Sequence, residues 1–299
     1  MLTSLDRQKK AYVYAALTVL FWSNIATALK LGLRYADNFQ LLFISVVSAC
    51  AVLFLVLLYQ KKLALVTSLA REDYLRLLGL GLLNPLFYYL VLFKAYDLLP
   101  AQVAQSLNYT WAITLMFLSI PILGHRVSRN DMLATLACYG GVLIICLGGK
   151  QFPAGGFSVT GIALALGSTI IWALYWLYKA KDKVDPVLGL FLSFLFGLPF
   201  VTIACFYFSG ISNIHPYALL SGVYVGLFEM GITFVLWLSA LQMTSNTAKI
   251  STMIFVAPFL SLLFIHFVLG ESIASTTLAG LVVIVIGLLI QRGDEAGTS

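Results

Sequence analysis

Long apolar stretches are the feature that most constrains how this chain can fold. Ten of them, nearly all long enough to cross a bilayer, fill its 299 residues. A hydrocarbon core about 30 Å thick needs roughly 20 residues of helix. With 61% hydrophobic and 10% charged residues, the chain is too apolar for a soluble domain. We therefore predict an all-α integral membrane protein with ten transmembrane helices, at residues 11–33, 38–59, 74–96, 99–121, 130–149, 159–180, 186–208, 216–240, 246–268 and 272–291.

Two alternatives to this assignment concern the type of span. A β-barrel would need segments of roughly ten residues that alternate apolar and polar side chains, whereas these runs are continuously apolar. A signal peptide is the alternative for the first run, because Arg7, Lys9 and Lys10 precede it and residues 26–28 have the small-residue pattern of a cleavage site. The length of the run and the cations that follow it favour a membrane span.

The distribution of lysine and arginine predicts the orientation in the membrane. With the N-terminus inside, thirteen of these cations fall in cytoplasmic segments: Arg7, Lys9, Lys10, Lys61, Lys62, Arg71, Arg76, Arg126, Arg129, Lys179, Lys181, Lys183 and Arg292. Four fall at external ends: Lys30, Arg34, Lys94 and Lys150. Positive residues concentrate in cytoplasmic loops, so we expect both termini in the cytoplasm. The net charge of +6 is then a topology signal and implies no nucleic acid.

The two halves of the chain share a weak internal repeat. At an offset of 146 residues, Gly124 falls on Gly270 and residues 141–144 fall on residues 287–290. We predict one transmembrane domain over 1–299 with two repeats, 11–149 and 159–291. An odd number of spans in each half means that the halves insert with opposite orientation. Inverted repeats place a substrate site near the bilayer midplane and permit alternating access.

An acidic residue within the eighth span is the sharpest candidate for a functional side chain. A charge at the centre of a membrane helix costs about 2.5–3.5 kcal/mol on insertion scales. On a regular helix Gly226, Glu229 and Thr233 share one face, and we expect this small, polar face to point into the helix bundle. There Glu229 can bind a substrate ammonium or carry a proton. The alternative is a protonated carboxyl or a structural hydrogen-bond partner. At an offset of 145 residues Asn84 matches Glu229, and Asn84 and Tyr88 would line the corresponding side of a cavity.

The fourth span is unusually polar, and aromatic residues mark the first and sixth spans. Gln105, Asn108 and Tyr109 predict a wet cavity, with hydrogen bonds between helices as the alternative. Trp172 and Tyr175 lie deep in the sixth span, where they would form an apolar wall for a substrate side chain. Trp22 and Asn24 occupy the matching place in the first span. Helix packing is the alternative role for the aromatic residues.

Small residues recur every fourth position in two of the later spans. They are Gly189, Ser193 and Gly197 in the seventh span, and Gly222 and Gly226 in the eighth. Such stripes let helix backbones approach closely in a membrane. We predict that both stripes form smooth faces for close helix contact or for sliding of one helix past another.

Several short segments resemble the drug/metabolite transporter superfamily, specifically its ten-helix EamA-type members. The resemblance rests on Leu269-Gly270-Glu271, on Pro258, and on a weaker counterpart at Leu123-Gly124-His125, where the family often has Glu in place of His. Residues 108–112 and 171–175 resemble segments of YddG-type amino-acid exporters. The resemblance covers essentially the whole chain and implies that both predicted repeats are EamA-like.

This resemblance also bears on Lys249, which lies about one turn inside the ninth predicted span. Nucleotide-sugar members of the superfamily carry a substrate-binding lysine early in that span, in a segment that residues 246–249 loosely resemble. Lys249 would then hold a substrate carboxylate. Snorkelling of the side chain to the membrane interface is the alternative.

Together these features predict a transporter that exports small metabolites by alternating access through a central cavity. The closer resemblance implies that the substrates are amino acids, aromatic and other neutral ones. Another metabolite or a drug is the alternative substrate, and a membrane-embedded transferase is the alternative class. We expect no enzymatic activity, cofactor or metal, because the sequence has no nucleophile and base set, phosphate-cradling loop or metal-ligand spacing. We also expect a monomer, embedded in the lipid bilayer of a bacterial plasma (inner) membrane.

Overall fold

The protein is described by a computed structural model that carries all side chains. The structure describes residues 4–123, 129–147, 158–211, 214–244, 250 and 253–295. Within those ranges all regular secondary structure is helical, as predicted. Residues 246–249, which include Lys249, and the Gly124-His125 part of the first-half motif lie outside the described residues.

Fourteen α-helices are described, and we number them in chain order. They are α1 (Ser4–Ser23), α2 (Ile25–Gly32), α3 (Asn38–Tyr59), α4 (Arg71–Gly81), α5 (Tyr88–Leu98), α6 (Ala101–Asn108), α7 (Trp111–Leu123), α8 (Arg129–Leu147), α9 (Val159–Lys179), α10 (Pro186–Phe208), α11 (Pro216–Val225), α12 (Ile232–Met243), α13 (Ala257–Phe264) and α14 (Ser275–Glu295). Short 3-10 turns occur at Leu63–Ser68 and Met253–Val256. Three π-helical segments occur at Leu82–Phe87, Gly226–Gly231 and Ile265–Leu269.

Several of these helices are long and apolar enough to span a membrane. In the described part of the chain six qualify by length and composition: Arg7–Gly32, Asn38–Tyr59, Arg71–Leu98, Val159–Lys179, Pro186–Phe208 and Pro216–Met243. Shorter apolar helices lie at Met132–Ile145, Met253–Leu269 and Ser275–Ile290. The described part of the chain is thus helical and has several helices of membrane-spanning length. The count of ten spans and the inverted repeat stay predictions.

The chain divides into two compact units, each assembled from both halves of the sequence. Unit 1 comprises Met1–Leu90 and Lys183–Phe264, and unit 2 comprises Val91–Asp182 and Ile265–Ser299. The polypeptide passes from one unit to the other within α5, between α9 and α10, and where α13 meets the Ile265–Leu269 segment. Each unit is described separately below.

In unit 1, α3 and α10 are the helices against which others pack. Helix α3 contacts α10, α11 and the Gly226–Gly231 segment, and α10 also contacts α4 and the Leu82–Phe87 segment. The backbones approach so closely that a Cβ atom added at Gly81 would clash with the Ser193 carbonyl oxygen. One added at Gly226 would clash with the Ser45 carbonyl oxygen. The predicted close contacts along the small-residue stripes are confirmed at Ser193, Gly197, Gly222 and Gly226.

Unit 2 is organised around the pairing of α8 with α14 and of α7 with α9. Gly141 and Gly280 face each other, because a Cβ atom on either would lie 2.5 Å from the other's carbonyl oxygen. Helix α6 packs against α9. Small residues thus allow dense packing here as well, where dispersion contacts and close backbone approach drive helix association.

Side chains at the ends of two helices of unit 1 satisfy backbone groups that the helix leaves unpaired. The Asp37 carboxylate accepts hydrogen bonds from the backbone N–H groups of Phe39 and Gln40 at the start of α3. Asp185 accepts from those of Val187 and Leu188 at the start of α10, and its carboxylate also lies 2.6 Å from the Lys62 ammonium. Burial by itself would raise the pKa of Asp185, but the hydrogen bonds and the charge of Lys62 together lower it below its usual value.

Candidate functional site

The first break in a helix of unit 1 places a polar side chain in the protein interior. In the Leu82–Phe87 segment Asn84 has φ −144° and ψ 112°, which is not helical, and Pro85 follows without a backbone N–H to donate. The Asn84 side chain is fully buried. Within the described residues neither its amide oxygen nor its amide nitrogen has a hydrogen-bond partner. An unsatisfied buried group costs about 1–3 kcal/mol, which singles out Asn84 among the polar side chains of this break.

The second break of unit 1 carries the intramembrane carboxylate. Glu229 lies within the Gly226–Gly231 segment, which ends at Gly231 with φ −112° and ψ −94°. The Tyr89 hydroxyl donates a hydrogen bond of 3.1 Å to Glu229 Oε1. The Trp22 indole N–H points at the Glu229 backbone oxygen over 3.5 Å. Single-turn π-segments are frequent at functional sites because they redirect side chains and loosen backbone hydrogen bonds.

A third interruption of unit 1 separates α1 from α2 at Asn24. The Tyr224 hydroxyl donates to Asn24 Oδ1 over 2.6 Å, and Asn24 Nδ2 donates to the Leu20 carbonyl oxygen over 3.0 Å. Trp22 packs on Phe234 and on Trp237, with ring centroids 5.6 and 5.9 Å apart. Trp22 thus packs among aromatic rings while its indole N–H faces the Glu229 backbone oxygen.

The predicted residues of unit 2 are neutral and mostly buried. Gln105 is buried and Asn108 ends α6, where its amide nitrogen donates to Ser168 Oγ over 3.0 Å. Tyr109 follows directly at the end of this helix. Helix α6 therefore presents uncharged amides, with one of them already tied to α9.

Aromatic rings cluster on α9 within unit 2. Trp172 and Tyr175 are both buried and stack with their ring centroids 5.6 Å apart. Trp176 packs edge-on against each of them at 5.7 Å. The rings thus support one another within α9, an arrangement that fits the packing role and also a preformed apolar wall.

The structure distributes the predicted site residues between the two units. Unit 1 holds Trp22, Asn24, Asn84, Tyr88 and Glu229, and unit 2 holds Gln105, Asn108, Tyr109, Trp172 and Tyr175. Within unit 1, Trp22 and Glu229 are in contact. Lys249 lies outside the described residues.

Regular helix geometry does not hold at either π-helical break. Asn84 has non-helical φ and ψ angles, so its position relative to Tyr88 is not that of a regular helical turn. Gly226, Glu229 and Thr233 span a π-segment, in which an extra residue shifts the angular spacing of side chains. The Thr233 hydroxyl accordingly donates to the carbonyl oxygen five residues earlier, at Phe228.

Sequence reasoning missed two phenols that the structure brings to these side chains. Tyr89, the neighbour of Tyr88, binds Glu229, and Tyr224 binds Asn24. The Asn84-Pro85 pair was the available signal for the first, because proline inside a span shifts the register of the residues after it. For Tyr224 the sequence carries no comparable signal.

The comparisons with known proteins identify the class of molecule to which these features belong. The profile of the EamA-like transporter family matches residues 9–147 and 159–291. The chain therefore belongs to the EamA-like transporter family, within the drug/metabolite transporter superfamily, and is a membrane transporter.

Individual relatives agree with this assignment. An uncharacterized transporter of Acidianus ambivalens is 30% identical over 68% of this chain and 79% of its own length. An uncharacterized transporter of Clostridium kluyveri is 26% identical over 96% of this chain and 94% of its own length. The uncharacterized transporter YvbV of Bacillus subtilis is 25% identical over 70% of this chain and 69% of its own length. A crystal structure at 19% identity covers 94% of this chain and 96% of that one with a TM-score of 0.66, a likeness that shows the fold alone.

Proposed function

We propose that this transporter exports amino acids, aromatic and other neutral ones, by alternating access. The observation that carries the proposal is the environment of Glu229. This carboxyl lies in a π-segment of a membrane helix and is bound by a phenol, and no cation among the described residues forms an ion pair with it. An intramembrane carboxylate needs a counter-charge, and a substrate ammonium would supply it.

Asn84 supports the same proposal from the first break of unit 1. Its buried amide can both donate and accept, and it has no partner in the described part of the protein. An amino acid offers an ammonium donor and a carboxylate acceptor, so either end would satisfy it. We assign the remaining carboxylate contact to Lys249, as the sequence predicts.

An amine-bearing metabolite or drug is the alternative substrate, because a carboxylate attracts any organic ammonium. A membrane-embedded transferase is the alternative class. We propose that the chain is not an enzyme, since its family and its relatives are transporters. We further propose a monomer in a bacterial plasma membrane with both termini cytoplasmic, which reporter fusions at each end would test.

The test of the function is uptake of labelled amino acids by liposomes that contain the purified protein. Aromatic, aliphatic and charged substrates are compared, with and without a pH gradient. Saturable, competable uptake of aromatic and neutral amino acids is expected, and uptake driven by the gradient alone would show proton coupling. Absence of uptake for every amino acid would redirect the search to amine drugs and other metabolites.

Substitution of Glu229 then tests its assigned role. Removal of one partner of a buried charge pair costs about 2–5 kcal/mol, so Glu229→Gln should raise KM by about thirtyfold or more. Glu72→Gln, at an exposed carboxylate of α4, is the matched control. A substrate analogue that lacks the carboxylate should still compete with the amino acid, and one that lacks the amine should not. If Glu229→Gln and Lys249→Ala both transport normally, the proposed contacts are wrong.

A further inference from the structure

The Leu269-Gly270-Glu271 motif, which helped to indicate the family, has a structural partner within unit 2. Helix α6 begins after Pro100, which has no side-chain oxygen to accept hydrogen bonds from the first backbone N–H groups. Glu271 supplies that acceptor from 170 positions away in the chain. Its carboxylate accepts from the backbone N–H of Ala101 over 3.0 Å and faces that of Gln102 over 3.5 Å.

The Gln102 side chain also links α6 to the segment 271–274, both as a hydrogen-bond donor and as an acceptor. Its amide nitrogen lies 3.4 Å from Glu271 Oε2 and donates to the Ser272 carbonyl oxygen over 3.0 Å. Its amide oxygen accepts from the Ala274 backbone N–H over 3.2 Å. The two side chains and the segment 271–274 form what we call the clasp. The Gln102 side chain is buried, so the clasp is a fixed part of unit 2.

The backbone before Glu271 is shaped to present this carboxylate. Gly270 has φ +72°, a left-handed conformation that favours glycine, and its N–H donates to the His266 carbonyl oxygen over 3.1 Å. His266 Nδ1 lies 3.0 Å from the Glu271 carbonyl oxygen. The motif thus ends the preceding π-segment and directs Glu271 towards α6.

Helix α6 is short enough for its ends to determine its stability. It has 8 residues, whereas isolated helices below roughly 12–15 residues are marginal. The clasp holds its N-terminus, and the hydrogen bond from Asn108 to Ser168 holds its C-terminus. Gln105 and Asn108, two of the predicted substrate contacts, follow one and two turns after the clasp.

We propose that Glu271 is a positioning residue for transport, which caps α6 and thereby holds Gln105 and Asn108 in place for the substrate. Glu271 itself does not touch substrate. The transport part of this inference rests on the proposed function, whereas the capping of α6 can be measured without any substrate.

The informative substitution is Glu271→Gln, which keeps the size of the side chain. An amide replaces one acceptor oxygen with a donor that faces the N–H groups of Gln102. Loss of a cap weakens a helix end by about fivefold in its opening equilibrium. We expect faster hydrogen exchange at the backbone amides of residues 101–104, and a KM that rises by up to about fivefold with little change in kcat.

A second substitution separates capping from a direct contact with substrate. Pro100→Asp places a local acceptor at the N-cap position, where the extended backbone with ψ 144° suits aspartate. The double variant Glu271→Gln with Pro100→Asp should recover slow exchange and the original KM. Glu72→Gln is the control and is expected to behave like the wild type.

Each outcome decides a separate part of the inference. Unchanged exchange in Glu271→Gln overturns the cap. Faster exchange with an unchanged KM overturns positioning, and a raised KM that Pro100→Asp does not rescue overturns it in favour of a direct role. If the wild type transports no amino acid, the proposed function fails, while the exchange measurement still tests the cap.

Discussion

The two π-helical breaks of unit 1 hold their polar side chains in opposite states. Asn84 is fully buried with no hydrogen-bond partner among the described residues, whereas Glu229 is partly buried and bound by Tyr89. The difference follows from charge. An unpaired buried amide costs about 1–3 kcal/mol, whereas an ionised carboxyl without a partner costs far more. The Asn84 amide can therefore stay unpaired in the absence of a ligand, whereas the Glu229 carboxyl keeps a hydrogen bond from Tyr89.

The breaks also differ in how their neighbours support them. The first contains a proline and lies against α10, where Gly81 and Gly197 allow close approach. The second is bounded by Gly226 and Gly231 and lies against α3. One break is thus set by a missing backbone donor, and the other by the absence of side chains at its two ends.

The largest expected effect on stability comes from filling the tight contact at the second break. Gly226→Ala would drive a Cβ atom into the Ser45 carbonyl oxygen and the Ser48 side chain. Overpacking of this kind costs about 1–3 kcal/mol, so we expect Tm of the purified protein to fall by several degrees. Gly79→Ala on α4 is the control, because a Cβ atom there meets nothing within 4 Å.

A matched variant at the first break extends this comparison. Gly81→Ala would meet the Ser193 carbonyl oxygen and should lower Tm by a similar amount. Gly79 lies two residues earlier on the same helix and gains helix propensity on substitution by alanine. Equal Tm values for Gly79→Ala, Gly81→Ala and Gly226→Ala would show that close backbone packing does not support either break.

The next largest effect is expected at Asn84, where an unpaired amide would lower the stability of the fold and contribute to substrate binding. Asn84→Leu removes an unsatisfied buried amide, so we expect an increase in Tm that corresponds to about 1–2 kcal/mol, together with a higher KM for substrate. Thermal unfolding and liposome uptake measure the two quantities. A lower Tm together with an unchanged KM would show that Asn84 has neither the cost nor the role assigned to it.

Thr27 on α2 provides the matched control for this variant. Its hydroxyl is also buried without a partner among the residues that the structure describes, and it is not a candidate site residue. Thr27→Val keeps the shape of the side chain and should raise Tm without a change in KM. A higher KM in both variants would show that the loss of transport is general.

The sequence predicts where the helices lie better than it predicts how they are interrupted. Predicted spans 38–59 and 186–208 coincide with α3 and α10, because their apolar runs end at clear polar boundaries. The break at Glu229 was not predicted. A local sequence pattern does not reveal whether a proline or glycine bends or breaks a membrane helix, because contacts with neighbouring helices determine the backbone conformation there.

The candidate site shows the same limit. Intramembrane polarity led to Glu229, because such residues are costly in a membrane. The offset of 145 residues led from Glu229 to Asn84. Tyr89 and Tyr224 were missed because phenols are common at many depths and their partners come from distant segments. The partner of Glu271 was equally inaccessible, since 170 residues separate it from Ala101 in the chain.

The smallest expected effect concerns the start of α10, the helix that supports the first break. Asp185→Asn keeps a good N-cap residue and removes the charge paired with Lys62, which should cost under about 1 kcal/mol at neutral pH. Asp185→Ala removes the cap as well, at about 1 kcal/mol more. Exchange at backbone amides 82–87 should then increase in Asp185→Ala and remain unchanged at 226–231, because α10 packs against the first of these segments.

The pH dependence of Tm in the same variants tests whether the ionised Asp185 carboxylate stabilises the fold. The folded protein lowers the pKa of Asp185 from 3.8, so the carboxylate form stabilises the fold. That contribution is fully present above the ordinary value and is lost as the pH falls through the lower value of the folded state. Tm of the wild type should therefore approach that of Asp185→Asn on acidification below pH 3.8. If the difference in Tm between the wild type and Asp185→Asn stays constant or widens below pH 3.8, the effect comes from packing at the start of α10. The break at Asn84 would then depend on the shape of α10 and not on the charge of Asp185.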